Sequence, residues 1–310
     1  MRDMKGAGGG ILAIIFACFL WGTTGTAASF APDISALAIG AFAMGMGGVL
    51  LVLNALKALL KDSALLLANP RILFVGGVAV AIYPLAFYSS MRLSGVAIGT
   101  VVSLASAPLF AALLERLINR KKLSPQWLAS FTVGAVGILL LALGKSPSTD
   151  GASSSSIGQQ LGIVLGLVAG LTYAMYSWAA KQLIERGVHS KSAMAAVFGL
   201  ASLVLLPTLT FTGGNLFVTP VNAGVAVYMA VVPMFLGYLC FSYGLRYVDV
   251  SHATLLTLLE PVVAMMLAVV VVGERFMGMG WCGVGLILIS LLMQIVKRPG
   301  VSATTVEAGA

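Results

Sequence analysis

Charge is what this chain has least of. Only 9% of its 310 residues are Asp, Glu, Lys or Arg, against roughly 25% in an ordinary soluble domain. So few charges cannot clothe a water-soluble surface, which removes the soluble classes and with them any division into domains by length. Cysteine is scarce too. Cys18, Cys240 and Cys282 all fall within apolar runs, where the side chain serves as a small core residue rather than as part of a disulfide framework or metal site. The sequence contains no metal-ligand spacing, phosphate loop, ATP motif or nucleophile with a nearby base. No cofactor and no metal are expected. A membrane enzyme would need several titratable groups at one depth, and only Glu260 qualifies, so enzyme classes are set aside.

What is present is apolar. Hydrophobic residues make up 59% of the chain and the mean hydropathy is +1.03, the signature of a polytopic membrane protein. The net charge of +8 does not point to a nucleic-acid partner, because the basic residues lie between apolar runs rather than on one polar surface. A membrane span needs about 20 apolar residues, and ten are predicted, at roughly 10–30, 35–56, 71–91, 94–115, 125–144, 158–180, 192–211, 223–245, 250–272 and 277–296. The first run follows Met1-Arg-Asp-Met-Lys5 as the apolar core of a signal peptide would. It is retained as a span because a partner for it recurs later in the chain.

With the N-terminus inside, every Lys and Arg except Arg92, Lys145 and Arg275 falls on the inner side. The positive-inside rule then puts both termini in the cytoplasm of a bacterial inner-membrane protein. The Ser-rich stretch from Lys145 to Gln159 divides the chain into residues 1–150 and 151–310, with five spans each and a short polar tail from Pro299.

The halves resemble each other. Phe87 matches Phe241, Arg92 matches Arg246, Pro108 matches Pro261 after a one-residue gap, and Trp21 stands opposite Tyr173. Five spans is an odd number, so the second copy enters the membrane upside down. Inverted repeats mark transporters that hold their substrate near the midplane between the halves. The symmetry is imperfect: Glu260 corresponds to Ala107, and Glu274 to Lys121.

The segment LLEPVVAMMLAVVVVGER (Leu258 to Arg275), its weaker copy SLASAPLFAALLERL and the Phe-x-x-x-x-Arg entry to each resemble the drug/metabolite transporter superfamily, specifically its ten-helix EamA-type exporters. The whole sequence is most similar to the YddG-type aromatic amino-acid exporters. The resemblance implies an all-α integral membrane fold: ten transmembrane helices in two inverted five-helix repeats around a central cavity, with spans 1, 3, 4, 6, 8 and 9 lining it. It implies export of amino acids, aromatic and other neutral ones, or related metabolites by alternating access. The alternatives are efflux of drugs or other metabolites and, in a different class, a membrane sensor or scaffold. The partners expected are a small-molecule substrate and the lipid bilayer, in a monomer or weak homodimer. The first half departs from the family pattern, with Lys121-Lys122 in place of the usual Gly-Glu and Glu115 out of register to replace it.

Glu260, set directly before Pro261 in mid-span, is the sharpest candidate. A charge at mid-bilayer costs on the order of 3 kcal/mol, so it needs a reason. Two readings stand: a proton or substrate-amine site, or a neutral acid hydrogen-bonded to a neighbouring helix near the proline. Trp21, Tyr83, Tyr173, Tyr176, Trp178, Tyr238 and Thr257 are the candidate substrate contacts, because rings in a wide cavity accept aromatic solutes by stacking and apolar burial. Tyr88 reads as an interfacial residue. Pro84, Pro108, Pro233 and Pro261 are candidate hinges. The glycines of spans 5 and 10 read as a scaffold seam or a subunit contact.

Overall fold

The computed structural model describes residues 2–144, 156–273 and 275–296, and every regular element among them is a helix. The Ser-rich divider up to Ser155, Glu274 and the polar tail lie outside the described residues. Among the described residues, nine helices are long and apolar enough to cross a membrane. They are α1 (Ala7–Ser29), α2 (Ala36–Leu67), α3 (Pro70–Ser94), α4 (Ile98–Leu117), α5 (Pro125–Leu143), α6 (Ile157–Glu185), α7 (Ser190–Thr212), α8 (Pro220–Gly244) and α9 (Val250–Val272). A tenth apolar helix, α10 (Gly278–Val296), is shorter. Their outward surfaces are apolar, with Phe16, Leu203 and Phe211 among the exposed side chains.

Local chemistry sets the helix starts. The Ser35 hydroxyl accepts from Ala38 N–H at 3.1 Å before α2, Ser124 from Trp127 N–H before α5, and Thr219 from Asn222 N–H before α8. Each cap satisfies an amide that the helix itself leaves unpaired. Pro125 and Pro220 follow their caps directly, where a missing N–H costs nothing.

The helices pack in a pattern with a symmetry of its own. α3 and α4 pack on α6, and α8 and α9 pack on α1; α3 meets α7 as α8 meets α2. Exchanging each helix of one half for its counterpart five places on turns each of these pairs into another. The pairs α2–α7, α4–α9 and α5–α10 map onto themselves. Glycines let the last of these close. A Cβ at Gly283 would stand 2.5 Å from the Gly137 carbonyl oxygen, and Ser290 donates to the Ser130 carbonyl at 2.6 Å. The glycines of the fifth and tenth predicted spans are therefore a seam within one chain.

The helices end on two faces. The first face carries the start of α1 and the connections after α2, α4, α6 and α8. The second carries the end of α1 and the connections after α3 and α7. Four helices contain prolines where hinges were predicted, and they respond differently. α3 and α4 run unbroken through Pro84 and Pro108. α8 widens to a π-helix over Ala230–Leu236 around Pro233, the usual accommodation of a lost rung. α9 breaks at Thr257–Leu258, so that Leu259–Leu267 forms a second half-helix. Pro261 falls in its first turn, where no backbone donor is needed.

Candidate functional site

A cavity of about 60 Å³ lies between α1, α2, α3, α6, α8 and α9. Each wall follows from a local feature. Trp21, near the end of α1, points into α8 and donates its indole N–H to the Pro233 carbonyl at 2.9 Å. The π-helix supplies that carbonyl, and Gly237 makes room: a Cβ there would lie 2.6 Å from the indole nitrogen. Trp21 then meets Tyr238 with ring centroids 4.9 Å apart. On the other side, Tyr83 of α3 meets Tyr173 of α6 at 5.6 Å. Each of these pairs joins one ring from the first half of the chain to one from the second.

Tyr173 donates to the Thr257 hydroxyl at 3.2 Å, and the Tyr176 and Tyr238 hydroxyls lie 2.8 Å apart. Tyr176 and Tyr238 are both buried and form the floor on the side of the first face. Thr24, Phe87 and Tyr88, all partly exposed, lie toward the second face. Tyr88 packs directly on Gly40 of α2, where any side chain would collide with the ring.

Glu260 completes the lining. The break in α9 puts it in the first turn of the second half-helix, where the unpaired amides and the helix dipole favour a negative charge. Its backbone N–H turns back to the Thr257 carbonyl at 3.0 Å. Its carboxyl has no hydrogen-bond or ion-pair partner among the described residues, and no Lys, Arg or His lines the cavity with it.

Of the residues predicted from sequence, Trp21, Tyr83, Tyr173, Tyr176, Tyr238 and Glu260 are brought to one cavity, with Pro84 in its wall. Trp178 and Thr257 are not in the lining. Trp178 faces the first face, where its indole donates to Asn119 at 2.9 Å. Thr257 stands behind Tyr173. Thr24, Met44, Phe87, Tyr88 and Met234 line the cavity without having been singled out for it.

The first face is closed by charge. Lys121 Nζ lies 2.6 Å from Asp249 Oδ1 and 3.8 Å from Glu185 Oε1; Lys181 Nζ lies 3.9 Å from Glu185 and donates to the Leu245 carbonyl at 2.8 Å. The buried Glu115 carboxylate accepts from Val250 N–H at 2.8 Å and Ser251 N–H at 3.3 Å, capping the start of α9. Burial alone would raise the Asp249 carboxyl, but the hydrogen bond and charge of Lys121 outweigh it and hold its pKa below the ordinary value. Burial would likewise lower Lys121, yet the Asp249 hydrogen bond and the surrounding acids raise it.

A multi-pass helical bundle, sealed at one face and enclosing a ring-lined polar cavity between its halves, is the construction of a membrane transporter. The chain belongs to the EamA-like transporter family, whose model matches residues 8–143 and again 160–296. It is similar to the uncharacterized transporter YwfM of Bacillus subtilis (strain 168), 29% identical over 91% of this chain and 92% of that one. It is also similar to the uncharacterized inner membrane transporter YicL of Salmonella typhimurium, 22% identical over 92% of this chain and 94% of the other. One solved crystal structure shares the fold with a TM-score of 0.74 at 18% identity, covering 92% of this chain and 95% of its own.

Proposed function

We propose that the chain is a secondary exporter that moves small ring-bearing solutes, amino acids and related metabolites among them, across the inner membrane by alternating access. The observation that carries this reading is the cavity itself: seven aromatic residues and one carboxyl, drawn from five helices of both halves, meet at one place, with α2 closing the remaining wall. Aromatic walls hold amphipathic solutes by burial and stacking. At about 60 Å³ the cavity is several-fold below the roughly 300–1,000 Å³ of a ligand site, so loading requires the helices around it to part.

The proposed architecture is ten membrane helices in two inverted repeats, residues 1–150 and 151–310. The packing pattern that survives exchange of the halves supports it, as does the odd number of helices in each. Both termini are assigned to the cytoplasm, which makes the Lys121–Asp249 cluster the inner closure. The intrachain α5–α10 seam supports a monomeric working unit. Glu260 is the proposed proton or substrate-amine site, and the break in α9 and the π-helix of α8 are the proposed hinges.

The narrower likeness to YddG-type aromatic amino-acid exporters favours amino acids. Efflux of drugs or other metabolites is the second reading, favoured by the unpaired carboxyl in a cavity lined largely by rings. The test is uptake of labelled amino acids and aromatic metabolites into liposomes holding the purified chain, with and without a pH gradient. Saturable uptake of ring-bearing solutes, slowed by Tyr83→Ala and Tyr173→Ala at equal protein level, is expected. Uptake of none of them, or uptake indifferent to both variants, overturns the proposal.

A further inference from the structure

We infer that the central cavity selects its solute by charge, taking ring-bearing organic amines that lack a carboxylate, with Glu260 as their counter-ion. The inference rests on the transport reading above and narrows its ring-bearing solutes to amines, in place of the amino acids named there.

The groups that would face a bound solute decide it. α1 presents Trp21 and Thr24, with the Cys18 thiol within electrostatic reach of Glu260; α3 presents Tyr83 and Tyr88, α6 Tyr173 and Tyr176, α8 Tyr238, and α9 Glu260. Among these described residues only Glu260 carries a charge when ionised near neutral pH, and its carboxyl is unpaired. Lys121 and Lys181 are engaged with Glu115, Glu185, Asp249 and the Leu245 carbonyl at the first face, beyond the Tyr176–Tyr238 floor.

An ammonium entering this space meets the carboxylate and the negative faces of several rings, both of which attract it. A carboxylate entering with it has no cation to meet. The indole of Trp21 is already bonded to Pro233, and the Tyr173 hydroxyl to Thr257. The Tyr83, Tyr88 and Thr24 hydroxyls and one proton of the Tyr176–Tyr238 pair remain, but these are neutral donors in a space that also holds Glu260, so an anion held there meets a like charge at low dielectric with no cation to offset it. A zwitterionic amino acid therefore gains at one end and loses at the other, and an anion only loses.

The test uses one ring in four charge states: tryptamine, tryptophan, indole-3-propionate and indole, each labelled. Binding to the full chain in nanodiscs is measured by equilibrium dialysis at neutral pH, for wild type and Glu260→Gln. Tryptamine is expected to bind at least about tenfold more tightly than tryptophan, with indole-3-propionate weakest, since close like charges at a binding site are strongly unfavourable. Glu260→Gln should remove the advantage of tryptamine over indole. Wild type binding tryptophan or indole-3-propionate as tightly as tryptamine overturns charge selection and leaves the transport reading standing. Binding of none of the four overturns both. If Glu260→Gln also loses indole, its fold has failed, and the wild-type ranking alone decides.

Discussion

The Lys121 ammonium and the Asp249 carboxylate meet at 2.6 Å and join the connection after α4 to the connection after α8, one from each half of the chain. Beside them Glu115 caps α9 from α4. The two contacts differ in kind. Lys121 and Asp249 have side chains 36% and 41% exposed, so solvent screens their attraction and its net worth is about 0–1 kcal/mol. Glu115 is 3% exposed, and its loss strands two amides. Lys121→Ala should lower the unfolding midpoint of the purified protein slightly, and Glu115→Ala by about 1–3 kcal/mol of stability. Equal effects in a thermal-shift comparison would contradict this division.

The pair also sets a pH dependence. The Asp249 pKa is depressed below 3.8 in the fold, so its contribution is present above that value and disappears as pH falls through the folded pKa. Lys121 is raised above 10.5, so its contribution is present below that value and is lost as pH rises through the folded one. The gap in melting temperature between wild type and Asp249→Asn should stay level from about pH 5 to about pH 9 and shrink below about pH 4. A gap that widens on acidification would refute the assigned direction.

The α5–α10 seam makes a prediction with its own control. Gly283→Ala drives a methyl to 2.5 Å from the Gly137 oxygen and the Leu141 nitrogen, overpacking that costs about 1–3 kcal/mol. Gly285, two residues on, has nothing within 4 Å of its Cβ position, and Ala there gains helix propensity of up to about 1 kcal/mol. Melting temperatures of the two variants should therefore move in opposite directions; a fall at Gly285 as large as at Gly283 removes the seam as the cause.

The apolar spans were legible because a run of about 20 apolar residues matches the thickness of the hydrocarbon core and little else. The cavity was legible in part: from the repeat at Trp21 and Tyr173, from a mid-span acid at Glu260, and from the spans the family resemblance assigns to it at Tyr83, Tyr176 and Tyr238. Depth and facing were not. A helix that is apolar all round has no polar side to fix its rotation, so Trp178 was assigned to the cavity and Tyr88 to an interface. Gly40 carried the signal for Tyr88, but a glycine that receives a ring from another helix cannot be matched to it from one sequence. Pro261 marked α9 as irregular, yet the break falls at Thr257–Leu258, because a proline sits comfortably in the first turn of the following half-helix. Glu115 was dismissed for being out of register with the family acid. In space it serves α9, not its own helix.

Gly237 tests the placement of Trp21. Ala at this position intrudes on the indole at 2.6 Å and displaces it from the Pro233 carbonyl, although Gly237 itself is not in the cavity lining. Gly237→Ala should be made at wild-type levels and should slow movement of large ring-bearing solutes more than small ones, since ring contacts scale with buried surface. Uniform slowing of all solutes would assign Gly237 to helix packing alone.

Glu260 separates a structural acid from a working one. A carboxyl retained to bond a neighbouring helix would leave that partner stranded when truncated to Ala, at about 1–3 kcal/mol, whereas Gln would supply a comparable donor and acceptor. Glu260 has no such partner among the described residues and faces the cavity, so Ala strands nothing and removes a polar group that is itself unpaired. Both Glu260→Gln and Glu260→Ala should therefore melt at or above the wild-type temperature. Both should also lose transport or its response to a pH gradient, because neither can carry a proton or pair with an ammonium. The measurement is initial transport rate against pH in liposomes, beside a melting curve in detergent. An unstable Ala variant with a stable, active Gln variant would return Glu260 to a structural role; two stable and inactive variants leave only a functional one.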